Sequence, residues 1–507
     1  MKPKMNSRNF TQAAGVAALI TTVIQLPCEA KNNINSNPGQ PNIVIIMADD
    51  MGYGDPQCYN PESKIPTPNM DKLSEQGVRF TDAHSPASVC TPSRYALLTG
   101  RYAWRSSLKK SVSWSGYDEP LIPKSRETLA SILKNHGYTT GVVGKWHLGM
   151  NFLRRQRNTF VEPKDHHFSG KNGTRDVDFT SPIYNGPNYL GFDYAFVSAA
   201  GHNMEPHVYI ENDFTVGIPD VWREAKDTLW PGVSAVEVHE GWMVKDWDDR
   251  QVGPDLTNKS IEFIKNAYSK NKSKPFFLYL ATVSPHRPCT PPDFIKGISM
   301  AGERGDMVAE FDWTVGEIMK TLDSLGISDN TLLIVTSDNG GTRVSDDGRD
   351  YGHKTSGDVL RGFKGGLYEG GHRVPFIMRW PEKLPGGKVN DGLICLTDLF
   401  ATFSFMMGEK PNPDSGEDSF NVLPLWLKGE PVRNNLVMHN YGGYFAIRRD
   451  DWKLILNGNQ TVAGGKNELY NLKDDPGESE NIIDAHPDIT KELTQLLNQF
   501  KRQGRSN

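Results

Sequence analysis

The sequence predicts an α/β fold: a large mixed, mostly parallel central sheet flanked by helices, followed by a smaller C-terminal α+β domain with a short antiparallel sheet. Three observations carry this. Continuous apolar runs, of which Asn42–Ala48 and 275–281 are the clearest, read as strands buried on both faces, the pattern of parallel strands. Stretches with helical apolar periodicity separate them. Beyond about Pro431, short strands alternate with turns instead.

At 507 residues the chain exceeds one ordinary core, so 31–430 reads as a large domain and 431–507 as a C-terminal subdomain. Residues 1–30 read as a secretory signal. Lys2, Lys4 and Arg8 form its basic region, 13–24 its apolar one, and Cys28-Glu29-Ala30 ends in a small residue suited to cleavage. The apolar run is too short for a permanent span. A lipidated Cys28 is the alternative, but Gln25-Leu26-Pro27 fits that signal poorly. The expected location is periplasmic or extracellular. A net charge of -5 gives no general attraction to nucleic acid, so an anionic substrate must meet local basic residues. Five scattered cysteines make neither a disulfide framework nor a zinc site.

In chain order, Asn42–Ala48 ends in Asp49-Asp50, a pair that is costly after a buried strand unless solvated or bound to a cation. Thr67-Pro68 opens a helix that Gly77 closes. A helix over 125–136 leads to a strand at 139–143 and then Gly144-Lys145-Trp146-His147-Leu148-Gly149. There Lys145 and His147 point the same way if the chain stays extended. From 152 to 249 the periodicity weakens and aromatics accumulate (Trp222, Trp230, Trp242, Trp247), with His166, His167, His202 and His207. So long an irregular stretch suits substrate recognition, with His202 and His207 the candidate substrate contacts. A helix over 255–270 feeds the 275–281 strand, which runs to Ser284-Pro285-His286. A helix over 305–325 precedes a strand at 331–336, which ends in Ser337-Asp338-Asn339. The Gly-rich loop around Lys364 follows, then an exposed loop at 408–419, short strands such as 452–456, and a final helix from Pro487.

One pattern recurs: strand, then chemistry. Asp49-Asp50, Lys145 with His147, His286, and Asp338-Asn339 each follow the last apolar residue of an expected parallel strand. Ligand crevices of open α/β sheets lie outside those carboxyl ends, so these residues are expected to share one site. Asp49, Asp50, Asp338 and Asn339 are hard oxygen donors, suited to calcium or magnesium rather than zinc.

The string Ser88-Val89-Cys90-Thr91-Pro92-Ser93-Arg94, continuing to Leu98-Thr99-Gly100, reads as a loop entering a helix. It places Cys90 at the helix mouth, where free N–H groups favour an anion, with Arg94 one turn on along the same face. Cys289-Thr290-Pro291 repeats the Cys-x-Pro but lacks the arginine, so Cys289 reads as structural.

The Cys-Thr-Pro-Ser-Arg string with Leu-Thr-Gly resembles the signature of the type I sulfatases, of the alkaline-phosphatase-like superfamily. So do Gly144-Lys145-Trp146-His147-Leu148-Gly149 and Glu468-Leu469-Tyr470-Asn471-Leu472. The resemblance implies that Cys90 is oxidised to formylglycine by a formylglycine-generating or anaerobic sulfatase-maturating enzyme. It implies one calcium ion held by Asp49, Asp50, Asp338, Asn339 and residue 90. It also places Arg94, Lys145, His147, His286 and Lys364 in the catalytic site. In the reaction it implies, a hydroxyl of the formylglycine hydrate attacks sulfur, His286 with Lys364 protonates the leaving oxygen, and His147 then takes a proton so that sulfate is expelled. The expected substrate is a sulfate ester on an oligo- or polysaccharide, algal or glycosaminoglycan. Two alternatives stand beside it: a phosphate monoesterase or phosphonate hydrolase of the same superfamily, and an unmatured protein that only binds sulfated glycans.

Overall fold

A computed structural model describes residues 40–156, 159–162, 176–227, 236–342, 349–457 and 465–507. The expected signal at 1–30 with Cys28, and His166, His167 and Trp230, lie outside these residues.

The strands of the central sheet are, in chain order, β1 (Asn42–Ala48), β2 (Val78–Phe80), β3 (Thr139–Lys145), β4 (Tyr194–Ser198), β5 (Tyr209–Glu211), β6 (Phe214–Thr215), β7 (Phe276–Ala281), β8 (Thr331–Ser337), β9 (Phe376–Arg379) and β10 (Lys388–Asn390). Their spatial order is β10–β2–β9–β8–β1–β7–β3–β4–β5–β6. The run from β8 through β1, β7 and β3 to β4 is parallel throughout, and antiparallel pairs flank it on both sides.

Successive side chains of β1 go to opposite faces. Ile43, Ile45 and Met47 pack toward α2 (Cys90–Thr99), α3 (Leu129–Asn135) and α6 (Asp398–Met406) through Leu97, Leu129 and Phe400. Val44, Ile46 and Ala48 pack toward α1 (Pro68–Gln76), α4 (Val252–Lys270) and α5 (Gly302–Ser324) through Leu73, Ile264 and Val315. Both faces are therefore covered, which is why the run is apolar without alternation. Each fully buried Ile or Val contributes roughly 1.5–3 kcal/mol.

A separate four-stranded antiparallel sheet carries β11 (Asn435–His439), β12 (Phe445–Arg449), β13 (Trp452–Ile455) and β14 (Glu468–Asn471), paired in chain order. Helix α7 (Pro487–Gln503) lays Leu493, Leu497 and Phe500 across Val437, Ile447 and Leu454. Those spacings are one helical stripe.

Three elements depart from their sequence expectations. Helix α3 starts at Leu129 rather than 125, because Thr128 and Ser131 form a reciprocal capping box there. The extended chain does not persist past Lys145: His147 has φ 57°, so the two side chains reach the site by a turn rather than by strand alternation. The 408–419 loop is not wholly exposed, since Asp418 is buried and accepts two hydrogen bonds from Arg105, at 2.8 Å each.

Candidate active site

The chemistry-bearing strands β8, β1, β7 and β3 are immediate neighbours, so their carboxyl ends open onto one spot. Gly144 sets the last of them. It has φ 112°, and a Cβ there would lie 1.9 Å from the Ala281 carbonyl oxygen, so only glycine lets β3 approach β7 and aim Lys145. Helix α2 begins at Cys90 and ends on Gly100 in the left-handed region, as its sequence requires.

Lys145 Nζ donates to Asp49 Oδ2 at 2.7 Å, and Lys364 Nζ to Asp50 Oδ2 at 2.6 Å. Arg94 donates to Asp338 Oδ2 through Nε and Nη2, and through Nη1 to the Lys145 carbonyl at 3.0 Å. His286 Nε2 lies 3.8 Å from Asp50 Oδ2, and its Nδ1 faces the Arg287 carbonyl at 2.7 Å. His147 Nε2 lies 2.7 Å from the Ser113 carbonyl oxygen, while its buried Nδ1 has no hydrogen-bond partner among the described residues. Arg94 and Lys145 are fully buried, whereas His286 and Lys364 keep side-chain exposures of 9% and 20%. Ligands therefore enter on the His286–Lys364 side.

The donor set fits a hard cation. Ligand atoms of Asp49, Cys90 and Asp338 all lie within 4.8 Å of one another, all buried. Among the described residues Asn339 Oδ1 is buried without a hydrogen bond, its Nδ2 donating to Asp50 Oδ1 at 2.8 Å, and buried Asp49 Oδ1 has no hydrogen bond but lies 3.3 Å from Arg94 Nη2. Oxygen atoms so left are costly unless something positive meets them. Burial, with Asp49 and Asp50 adding to it, pushes Asp338 well above the usual carboxylate range against Arg94, so its ionised form depends on Arg94 together with a bound cation. Against the same burial, Lys145, His286 and Arg94 hold Asp49 well below that range.

Burial, Lys145 and Arg94 hold His147 well below the ordinary imidazole value, so it is neutral and able to accept a proton. Burial also holds His286 well below the ordinary imidazole value, and so neutral, against the pull of Asp49, with Lys145 and Lys364 acting in the same direction as burial. Lys364 is the reverse case: burial would discharge it, but Asp50 keeps it charged.

His202 stands beside this cluster, its ring 6.4 Å from that of His286, with Nε2 on the Pro288 carbonyl at 3.1 Å and Nδ1 without a hydrogen bond among the described residues. His207 is differently placed. Both of its ring nitrogens face backbone carbonyls, of His202 and His239, so neither is left for a ligand. Cys289 is buried, with its sulfur near the Pro285 carbonyl.

Sequence reasoning passed over the supports. Arg304 donates to the Asp50 carbonyl at 2.8 Å and to both oxygens of Asp55, holding Asp50 at φ 74°. His353 joins the same carboxylate at 2.8 Å. Glu310 accepts from Ser284 at 2.6 Å behind the His286 turn. A second buried cluster ties the four-stranded sheet to the short helix Glu369–His372 and to His84: Lys453 of β13 donates to Glu369 at 2.8 Å and lies 3.0 Å from His372, whose Nδ1 lies 3.0 Å from that of His84. Buried charged residues were the available signal, but their partners stand tens to hundreds of residues away.

Comparison with known proteins agrees with this geometry. The profile of the sulfatase family matches residues 41–409, and that of the C-terminal part of N-sulphoglucosamine sulphohydrolase matches 363–503. The chain is 36% identical to an N-acetylgalactosamine-6-O-sulfatase of Bacteroides thetaiotaomicron, covering 92% of this chain and 94% of that one. It is 31% identical to human arylsulfatase A, covering 91% and 87%. A solved Bacteroides thetaiotaomicron 6S-sulfatase, described under the metabolism of multiple glycosaminoglycans, superposes with a TM-score of 0.79 at 32% identity, covering 92% of this chain and all of that one. With the strand-end cluster and these matches together, the chain belongs to the sulfatase family and is a sulfuric ester hydrolase.

Proposed function

We propose that this protein removes O-sulfate groups from a sulfated carbohydrate, and that a glycosaminoglycan sugar bearing a 6-O-sulfate is the substrate to try first. The observation that carries the reading is the position of Cys90 at the mouth of α2, between Asp49 and Asp338. The names of the Bacteroides relatives support the carbohydrate class.

Asp49, Asp50, Asp338, Asn339 and residue 90 would hold one calcium ion, whose charge would offset that of the ester oxygens. Cys90 is read as the substrate of a formylglycine-generating or anaerobic maturating enzyme, and its Sγ marks where the nucleophilic oxygen of the matured residue would stand. Arg94 and Lys145 orient the sulfate oxygens from the closed end of the site. At the open end, Lys364 carries a proton already and His286 gains one more easily when the anionic ester arrives, so this pair protonates the departing sugar oxygen. His147, neutral in its buried setting, takes the proton from residue 90 that releases sulfate. His202 stands where it can touch the sugar; His207 braces the backbone behind it. Residues 1–30 serve export, 31–430 form the catalytic domain and 431–507 the C-terminal subdomain.

The test is sulfate release from a panel of defined sulfated mono- and oligosaccharides, beside a phosphate monoester and an aryl sulfate. It is run together with the intact mass of the peptide containing residue 90. Saccharide turnover with the formylglycine mass is the expected result, and Cys90→Ala abolishes it. Faster turnover of the phosphate ester, or saccharide turnover by protein whose Cys90 is wholly unmodified, overturns the reading.

A further inference from the structure

Three aromatic side chains from separate parts of the chain meet beside the reaction centre. The Trp114 and His239 rings stack with centroids 6.3 Å apart at 29°, and Tyr441 stands edge-on to Trp114 at 6.2 Å and 81°. Their backbones are fastened to the site. Ser113, next to Trp114, donates to Thr91 Oγ1 at 3.1 Å and presents its carbonyl to His147. His239 donates from its backbone N–H to the Asn203 carbonyl at 2.8 Å, one residue from His202. Tyr441 lies in the β11–β12 turn, and its carbonyl accepts from Ser111 N at 2.7 Å. That turn also packs on the 109–110 backbone, since a Cβ on Gly443 would stand 3.0 Å from the Lys109 carbonyl oxygen. Lys110, whose Cβ would lie 3.2 Å from a Cβ on Gly443, is exposed beside that turn.

Two other large rings, Trp146 and Tyr102, are fully buried. Trp114, His239 and Tyr441 are each only half-buried. Aromatic side chains partly open to water, with an exposed lysine beside the same turn, suit an amphipathic ligand that is apolar on one face and anionic on its rim. A pyranose with its axial C–H face down, bearing a sulfate or carboxylate, has that shape. Because the chain as a whole is negatively charged, such a ligand needs a local cation to be held.

We propose that Trp114, His239 and Tyr441, with Lys110 at the rim, bind a second sugar of an anionic oligosaccharide, adjoining the sugar whose sulfate is cleaved. The proposal rests on the sulfated-carbohydrate reading above and gives the C-terminal sheet a direct part in substrate choice. Tyr441 is then a specificity residue supplied by a different sheet from the one that bears the catalytic groups.

The experiment compares kcat/KM for N-acetylgalactosamine 6-sulfate with that for a tetrasaccharide ending in the same sugar, in wild type, Trp114→Ala, Trp114→Phe, Tyr441→Ala and Lys110→Ala. Wild type is expected to prefer the tetrasaccharide. In Trp114→Ala and Tyr441→Ala that preference falls about tenfold through KM, while Trp114→Phe keeps most of it. Lys110→Ala lowers it less and removes part of its salt dependence. An unchanged ratio in both alanine variants, with normal turnover of the monosaccharide, overturns the subsite and leaves the function standing. Calorimetric binding of the tetrasaccharide to Cys90→Ala protein keeps the two apart. Binding lost on adding Trp114→Ala, in a protein whose wild type releases no sulfate from either saccharide, upholds the subsite and overturns 6-O-sulfated N-acetylgalactosamine as the sugar cleaved.

Discussion

Arg94 donates to a single oxygen of Asp338 through both Nε and Nη2, at 3.0 and 2.8 Å, with both side chains fully buried. The contact ties the helix that begins at Cys90 to the end of β8 and leaves the other oxygen of Asp338 for the Asp50 N–H at 3.1 Å.

Arg94→Lys is therefore expected to be severe although the charge is kept, because an ammonium cannot span two donors and a third carbonyl from one rigid plane. Sulfate release should fall about 100-fold or more, on the scale of losing one fixed transition-state donor. Arg94→Ala should also unfold more easily in urea by ~3–5 kcal/mol, since it strands a buried carboxylate. Activity in Arg94→Lys within a few-fold of wild type would show that the guanidinium geometry is immaterial.

Calcium should stabilise the fold as well as support turnover. At about 100 times its dissociation constant it would add about 2.7 kcal/mol, read as a rise in Tm after dialysis against chelator and re-addition. Asp49→Asn and Asp338→Asn should shrink that rise, because each removes an anionic oxygen from the set at the Cys90 end. Equal rises in wild type and both variants would place the cation elsewhere.

A pH effect should localise to Glu205. Its carboxyl is buried, its Oε2 has no hydrogen bond among the described residues, and burial with nearby Glu240 pushes its pKa up to about 8. The folded pKa lies above the unfolded value of about 4.3, so the folded state holds the extra proton. Stability from this group is full below the unfolded value and is lost as pH rises toward 8. Glu205→Gln keeps a neutral side chain at every pH, so its Tm should exceed that of wild type at pH 8, with the gap closing by pH 5. A gap that stays constant from pH 5 to 8 would rule out a raised Glu205 pKa.

Much of the site was legible before any coordinates, for a local reason. A parallel strand buried on both faces must be apolar along its length, so the first ionic residue marks its carboxyl end. That rule located Asp49-Asp50, Lys145, and Asp338-Asn339 individually. The helix from Cys90 to Thr99 was equally local, because Gly100 supplies the left-handed stop. The start of α3 is not legible in the same way, because the Thr128–Ser131 capping box is one choice among several adjacent polar residues. Composition alone does not distinguish His207 from His202, because it cannot say which ring nitrogens a folded backbone will face.

What the sequence determined by itself was the set of strand ends and the chemistry each bears, since burial on a sheet is written into every residue of a strand. What only the tertiary structure decided was adjacency: that β8, β1, β7 and β3 lie side by side, that Arg304 props Asp50, and that Tyr441 reaches Trp114. Strand order and inter-sheet contacts are set by packing between distant segments, and no local pattern of side chains encodes which segment a face will meet.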